Sequence, residues 1–419
     1  MNNIDKNLKI AIIGSGISGL TSAYVLNKKY DVSIYEKNDY LGGHTHTHKI
    51  AENSKAFNID SGFIVYNENT YPNFIKLLDL LKVERQHSTM GFSVKTSYKD
   101  FEYSGNSIWS IFAKKSNLFN PYFLNMLTSV LRFNRTSIND LNNIDSSTSL
   151  IDYLKSKKFS NYFIKYYVVP MAAAIWSTSP KMILKMPALF FIKFFNNHGL
   201  LQIKNRPQWW VIKNGSKQYV KKIIEQFNGT IHLNTPVKKV IRNKNHVIIE
   251  TKSKSEVFDA VIFATHSDQS LKLLNDISNN EKNILSKIKY QKNTALIHTD
   301  TSVLPKRKHA WSSWNYLLNK DNNTVTLTYN MNILQSLNTS KTYCVTINDC
   351  DLINKDKIIK KIDYEHPLFT KDTIEAQYNK NLINGVNNTY FCGAYWGNGF
   401  HEDGVNSALD VCKKFGMEL

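Results

Sequence analysis

Residues 11–19, Ala-Ile-Ile-Gly-Ser-Gly-Ile-Ser-Gly, place three glycines at GxGxxG spacing directly after an apolar run. Glu36 follows about 20 residues further on. The run at 8–13 reads as a short buried strand, residues 17–29 carry a helical pattern, and residues 32–36 (Val-Ser-Ile-Tyr-Glu) read as a second strand. A strand–turn–helix–strand unit of this kind holds a nucleotide diphosphate. Gly14 lets the chain turn sharply, Gly16 lets the backbone approach a phosphate with no Cβ in the way, and Gly19 lets helix pack on strand. The helix start offers free N–H groups and the positive end of a dipole. Glu36 stands where a carboxylate holds a ribose diol. Taken alone, the motif admits NAD as readily as FAD.

With 419 residues, 42% of them hydrophobic, the chain has material for two domains or one large elaborated one. Its formal charge of +19 comes from 53 basic and 34 acidic residues. That balance invites nucleic acid or an anionic membrane surface as a partner. The excess is nearly all lysine, beside only Arg85, Arg132, Arg135, Arg206, Arg242 and Arg307, as in AT-biased compositions. No long block of like charges and no nucleic-acid signature accompanies it, so no nucleic-acid partner is expected. Cys344, Cys350, Cys392 and Cys412 lack CxxC spacing and suggest neither zinc nor a disulfide framework. The N-terminus runs into the first strand without a signal-peptide pattern, and no run approaches the roughly 18 apolar residues of a membrane span. A cytoplasmic protein is expected, with peripheral contact on the inner membrane surface left open.

The strand and helix patterns predict an α/β fold. A Rossmann-like nucleotide-binding domain is assembled from three segments (1–70, 207–265 and 386–419). An α+β substrate domain with an antiparallel sheet and helices comes from 71–206 and 266–385. Residues 71–204 carry helical apolar spacing, with one face at Phe74, Leu77, Leu78 and Leu81 and another within 121–133. Residues 259–265 include five consecutive apolar residues, as central parallel strands do. Residues 294–298, 325–329 and 343–347 read as antiparallel strands, and residues 389–392 as a last strand before a glycine-rich turn and a helix near 404–415.

Four stretches together resemble the flavin-containing amine-oxidase superfamily: GSGISGL at 14–20, YEKNDYLGGHTHT at 35–47, IDSGFIVYNENTYP at 59–72 and YFCGAYWGNGFHEDGVNSALDV at 390–411. The LGGHTHT, GFIVYNENTYP and GFHEDG segments are similar to a bacterial branch of NAD/FAD-binding proteins often encoded beside cyclopropane-fatty-acyl-phospholipid synthases. That branch includes proteins implicated in dehydrogenating methylated fatty acyl chains. MAAAIWST at 171–178, WSSWNY at 311–316 and YEHP at 364–367 extend the resemblance over nearly the whole chain.

The resemblance implies noncovalent FAD. Gly14, Gly16, Ser18 and Gly19 would face its diphosphate, Glu36 and Lys37 its adenosine end, and Val237 its adenine. Gly42 and Gly43 would let the chain pass beside it, and Gly62 would lie beneath the flavin. Relatives place arginine after the glycine pair, where this chain has His44. They place an acid after the glycine ending the last strand, where Gly393 is followed by Ala394, with Glu402 and Asp403 only later. Gly404 and Val405 are expected to open the last helix toward the flavin, with Asp403 as its cap in the plain reading.

Trp396, Phe400 and His401 lie in the turn expected to border the flavin, where aromatic residues would wall a dry pocket. His401 is the proton-transfer candidate, and Tyr66 with Asn67 would offer polar groups to substrate. His44, His46 and His48 alternate as strand neighbours on one face would, but no carboxylate or Cys motif supports a metal. Trp176, Trp311 and Trp314 read as interface core. Residues 181–203, apolar and aromatic with Lys181, Lys185 and Lys193, read as a buried helix pair or a lipid-facing one. The expected activity is hydride transfer from substrate to FAD, desaturating a fatty acyl chain, methylated or phospholipid-bound. An amine oxidase, a redox-neutral fatty acid isomerase and a flavoprotein that only binds are the alternatives. The electron acceptor is unspecified.

Overall fold

The computed structural model describes residues 8–52, 55–320, 326–348 and 350–419. The glycine motif lies between β1 (Lys9–Ile13) and α1 (Ile17–Leu26), and β2 (Asp31–Tyr35) follows. These strands belong to a five-stranded parallel sheet in the order 230–232, β2, β1, 260–263, 389–391. Both faces are covered: Ile10, Ala11, Ile12, Val261 and Ile262 are wholly buried. This explains why residues 260–263 read as an unbroken apolar run. The last helix, His401–Lys414, packs against α1. The far end of the chain thereby returns to the glycine turn.

A seven-stranded sheet forms the other half. Its order is 358–367, 290–298, 344–347, 326–330, 314–318, 92–96, 102–104. All neighbours are antiparallel except 314–318 with 92–96. Val325, the expected start of one strand, lies outside the described residues, as do residues 1–7. The helical reading of 71–204 missed the strands Arg85–Ser88, Phe92–Thr96 and Glu102–Ser104. Polar residues fill these strands because their partners are supplied within the fold. Ser93 Oγ donates to Asn315 Oδ1 at 2.8 Å, and Glu102 accepts from the Lys306 and Arg307 backbone N–H groups at 2.7 and 2.9 Å.

Helices cover this sheet: 121–140, 150–156, 161–176, 180–185 and 188–197. Pro170 sits within the third, just after a π-helical turn at Ile164–Val168. Proline cannot donate to the carbonyl four residues back. The Tyr103 hydroxyl donates to that Tyr166 carbonyl instead, at 2.8 Å. Pro187 separates Pro180–Lys185 from Ala188–Asn197, and Phe191, Ile192, Phe194 and Phe195 point into the core. The apolar bulk of 181–203 is therefore spent inside the protein. No helix among the described residues is long and apolar enough to cross a membrane.

Candidate functional site

A cavity of about 1000 Å³ runs from the glycine turn to the aromatic faces of Trp176, Tyr329 and Phe369. Its glycines do different jobs. A Cβ on Gly14 (φ +100°) would lie 2.7 Å from the Ala264 carbonyl oxygen, and one on Gly19 would lie 2.0 Å from the Gly14 oxygen. Those two are fixed by the protein's own packing. Gly16 adopts φ −64°, open to any residue, and a Cβ there would meet nothing within 4 Å. Its missing side chain leaves room in the cavity. Gly43 (φ +58°) faces it, since a Cβ on Gly43 would stand 3.2 Å from Gly16 Cα. Gly42 (φ +117°) closes on the Thr45 carbonyl oxygen, and Gly62 on the His44 oxygen. The helix α1 opens on this trough with no side-chain cap, so its first N–H groups have no partner from its own end. A trough of this shape, with uncapped donors, fits a diphosphate.

Glu36 is buried at the end of β2. Its Oε2 accepts from Ser15 N (3.1 Å) and Ser15 Oγ (2.6 Å), and Oε1 accepts from Asn38 N (2.9 Å). The carboxylate thus braces the glycine turn while lining the cavity. Ser18, Lys37 and Val237 line the same end. Gly19 lies behind the lining, under the Gly14 oxygen.

Past the glycine pair, the three alternating histidines separate. His46 stacks on Tyr40 and on His48, each at 4.1 Å. His48 Nε2 reaches Ser61 Oγ at 2.8 Å. His44 instead turns into the cavity, stacked on Tyr364 at 4.9 Å and flanked by His366 (5.3 Å) and His266 (6.2 Å). The shared-face reading of the three therefore fails, because His44 sits in the turn that Thr45 N closes on the Gly42 carbonyl at 2.9 Å. Among the described residues no group of His, Cys, Asp and Glu is placed to hold a metal. Burial pushes His44 below the ordinary imidazole range, and burial with neighbouring histidines takes His266 and His366 down to about 3. His44 Nε2 has no partner among the described residues.

The C-terminal turn departs from the sequence reading. The last helix begins at His401, not Gly404, because Asp403 accepts from Phe400 N at 2.9 Å and Gly404 N already bonds the Phe400 carbonyl at 3.1 Å. Asp403 is a brace of the first turn, and burial raises it to about 6. Gly404 lets the two helix starts converge: a Cβ there would meet Ile17 Cγ2 at 2.7 Å and Ser18 Oγ at 3.0 Å. Val405 is in the core. Glu402 is also committed, accepting from Asn73 N (2.9 Å) and Phe74 N (2.8 Å) at the start of α2 (Pro72–Leu80). Gly393 N donates to Ser407 Oγ at 2.8 Å. Cys392 is buried beside Ser22, away from the lining.

Phe400 and His401 line the cavity, and Trp396 and Tyr66 do not. Trp396 donates to the Phe391 carbonyl at 3.2 Å and packs in the core, leaving Tyr395 at the wall. Tyr66 is wholly buried against Phe74 and Tyr71, and Phe63 takes the exposed position. Asn67 holds its own turn through Asn69 N and Thr70 N. The His401 ring stacks on Phe63 at 3.5 Å, with Nε2 2.9 Å from Thr45 Oγ1 and 3.3 Å from the Tyr219 hydroxyl. Burial holds it well below the usual range, so it is neutral.

At the opposite end Trp176, Trp314, Tyr329, Phe369 and Phe400 enclose the space. The indole N–H groups of Trp176 and Trp314 are buried without a partner among the described residues. All three tryptophans were read as interface core: Trp176 is in the core and Trp314 packs against it while both also line the cavity, and Trp311 donates to the Pro305 carbonyl at 2.8 Å. The signal was present in the sequence: all three sit in the MAAAIWST and WSSWNY segments that carry the resemblance.

Residues 17–330 match the model of the flavin containing amine oxidoreductase family. The chain belongs to this family. Over 233 residues it is 29% identical to a 1-hydroxycarotenoid 3,4-desaturase of Flavobacterium sp. (strain P99-3), a match covering 51% of this chain and 40% of that protein. It thus spans less than half the length of that relative. Its fold is that of cyclohexylamine oxidase from Brevibacterium oxydans IH-35A, with a TM-score of 0.71 at 13% identity over 98% of this chain and 99% of the other. It matches equally a CLA-producing fatty acid isomerase from P. acnes, with a TM-score of 0.70 at 14% identity over 99% and 100%. The protein is therefore an FAD-dependent oxidoreductase of the amine-oxidase superfamily. The uncapped α1 start, the empty space over Gly16 and the buried Glu36 are what that cofactor requires of this chain.

Proposed function

We propose that this flavoenzyme removes hydride from a long apolar substrate, most simply desaturating a fatty acyl chain, methylated or carried in a phospholipid. The observation that carries this reading is the aromatic set Trp176, Trp314, Tyr329, Phe369 and Phe400 in the cavity lining. Burial raises the Tyr329 hydroxyl well above its ordinary range, so that ring brings no charge to the set. The indole N–H groups of Trp176 and Trp314, two of these lining residues, are buried without a partner among the described residues. Donors of that kind suit an ester, carbonyl or hydroxyl oxygen on the substrate and offer nothing to the N–H groups of an ammonium. The relatives named a carotenoid desaturase and a fatty acid isomerase agree with an apolar chain.

Bound FAD supplies the two-electron acceptor. The chain's own residues position and exclude. Gly14, Gly16 and Ser18 would carry the diphosphate at the α1 start, Glu36 and Lys37 would hold the adenosine end, and Val237 would meet the adenine. Gly42, Gly43 and Gly62 leave room for the backbone to pass beside the cofactor. Phe400 and Phe63 wall off water, which strengthens every remaining electrostatic interaction inside. His401 holds the Phe63 ring and the Thr45 and Tyr219 hydroxyls in register. As a buried neutral imidazole it positions the wall and is a weak base. His44 replaces a permanent cation with a neutral donor or acceptor beside the cofactor. Contact with a membrane surface belongs to the same reading, because a phospholipid acyl chain is reached there.

Anaerobic mixing of the FAD-loaded protein with vesicles of unsaturated or methylated phospholipid tests this. Bleaching of the flavin absorbance with a new double bond in the acyl chain is the expected result. Bleaching by polyamines alone would favour an amine oxidase. An isomer of unchanged mass formed without oxygen consumption would favour a redox-neutral isomerase.

A further inference from the structure

Eight of the nineteen large apolar side chains exposed among the described residues fall within the 31 residues from Ile108 to Ile138. They are concentrated, and scattered exposure does not account for them. Trp109 is 85% exposed, Phe119 87%, Ile108 74% and Tyr122 70%. Leu124, Leu131 and Ile138 continue the patch, seven residues apart, as one stripe along the helix Pro121–Asp140. The protruding loop is built. Ser107 caps the short helix Ile108–Ile111, Asn117 Nδ2 donates to the Glu102 carbonyl at 3.2 Å, and Asn120 caps the long helix through Tyr122 N and Phe123 N. From Tyr103 to Asn139 the chain contains Lys114, Lys115, Arg132 and Arg135 and no acidic residue. Lys114 is paired with Asp100, outside this stretch, while Lys115, Arg132 and Arg135 are exposed.

We propose that this face is a monotopic docking surface for an anionic phospholipid bilayer, with Trp109 and Phe119 entering the headgroup–acyl boundary and Lys115, Arg132 and Arg135 meeting the lipid phosphates. Exposed aromatic knobs on a stretch that carries basic residues, and whose bounding acids Glu102 and Asp140 are paired with Arg307 and Lys157, are the chemistry that anionic bilayers select. A second copy of the chain fits less well. A two-fold interface on this face would set the basic side chains against their own counterparts. The face also lies one layer from the substrate end of the cavity. On the inner side of the long helix Phe133 packs on Phe191 (6.4 Å), and Phe191 on the cavity residue Trp176 (6.0 Å). The surface deepens the acyl-chain reading by naming where lipid meets the protein, and it is separable from that reading by experiment.

The test is co-flotation of the FAD-loaded full chain with vesicles, comparing phosphatidylglycerol–phosphatidylcholine mixtures with pure phosphatidylcholine. The wild type should float with anionic vesicles and detach as salt rises. Trp109→Ser with Phe119→Ser should weaken that partition about tenfold or more, with FAD content and melting temperature unchanged. Lys115→Gln with Arg135→Gln should erase the preference for anionic lipid, which keeps the test open if the first pair folds poorly. Wild-type flotation by the aromatic variant overturns the proposal, as does failure of the wild type to bind. A dimer that the same variant makes monomeric, with flotation unchanged, assigns the face to self-association and also overturns it. Flotation without flavin bleaching would keep the docking face and remove the acyl-chain substrate. Bleaching by a dispersed acyl ester without flotation would do the reverse.

Discussion

Gly16→Ala and Gly19→Ala each add one methyl group to the same turn, three residues apart, and should fail in opposite ways. At Gly16 the backbone already sits at φ −64°, ψ 178°, which alanine adopts, and the new Cβ touches nothing within 4 Å. The fold should lose nothing and could gain about 0.4–1 kcal/mol from a stiffer unfolded chain. The methyl stands in the space over the α1 start, so the diphosphate must move off the helix N–H groups. Two lost charge-assisted hydrogen bonds at roughly 1.5–3 kcal/mol each weaken FAD binding by about two to four orders of magnitude. At Gly19 the methyl would lie 2.0 Å from the Gly14 oxygen and 3.1 Å from Ala264 Cβ, so helix and strand must separate. Overpacking against backbone costs about 1–3 kcal/mol or more, and FAD is lost because the turn is lost. Urea denaturation of the apoprotein and fluorescence titration with FAD separate the two effects. A Gly16→Ala protein that binds FAD like the wild type would refute the placement of the diphosphate. A Gly19→Ala apoprotein of wild-type stability would refute the packing argument.

Three further outcomes follow from the buried carboxylates. Glu36→Ala should weaken FAD binding roughly tenfold to a hundredfold while leaving FMN, which has no adenosine, unaffected; equal loss for both in paired titrations would mean the carboxylate acts only by bracing Ser15. Glu402→Ala leaves two N–H groups at the start of α2 without acceptors and should cost about 2–4 kcal/mol in urea denaturation. Burial raises Asp60 from its ordinary 3.8 to about 6 despite the donors Thr47 and Ser216. The folded state therefore holds the extra proton between about pH 4 and 6, and stability falls as pH rises through that window by roughly 3 kcal/mol. Asp60→Asn should flatten that slope in pH-dependent melting.

The nucleotide half was legible because its chemistry is local. Gly14, Gly16, Gly19 and Glu36 lie within one strand–turn–helix–strand unit, and a parallel sheet buried on both faces writes its strands as plain apolar runs. The substrate half was less legible because its determinants are long-range. The strand Phe92–Thr96 alternates apolar and polar residues over only five positions, and its partner Trp314–Leu318 lies more than 200 residues away. The last helix starts three residues early because Asp403 closes on Phe400, and no spacing rule separates that from an Asp403 cap on Gly404. Trp396 looked like a wall residue by its position in a turn and Tyr66 like a polar group offered to substrate, yet Tyr395 and Phe63 hold the wall. In an irregular turn, a one- or three-residue offset decides which ring faces the cavity.

The same distinction bears on what the chain does to its substrate. The histidines near the proposed flavin position are held neutral, and the two acids of the C-terminal turn are committed to backbone. His44, His266, His366 and His401 are pushed down by burial. Asp403 and Glu402 accept backbone hydrogen bonds at helix starts. Neutral imidazoles at a reacting end gain little from a charged substrate and much from the exclusion of water. On that balance rests the proposal of an apolar chain over an amine. The balance resides in burial and in hydrogen-bond commitments, which the residue types alone do not reveal.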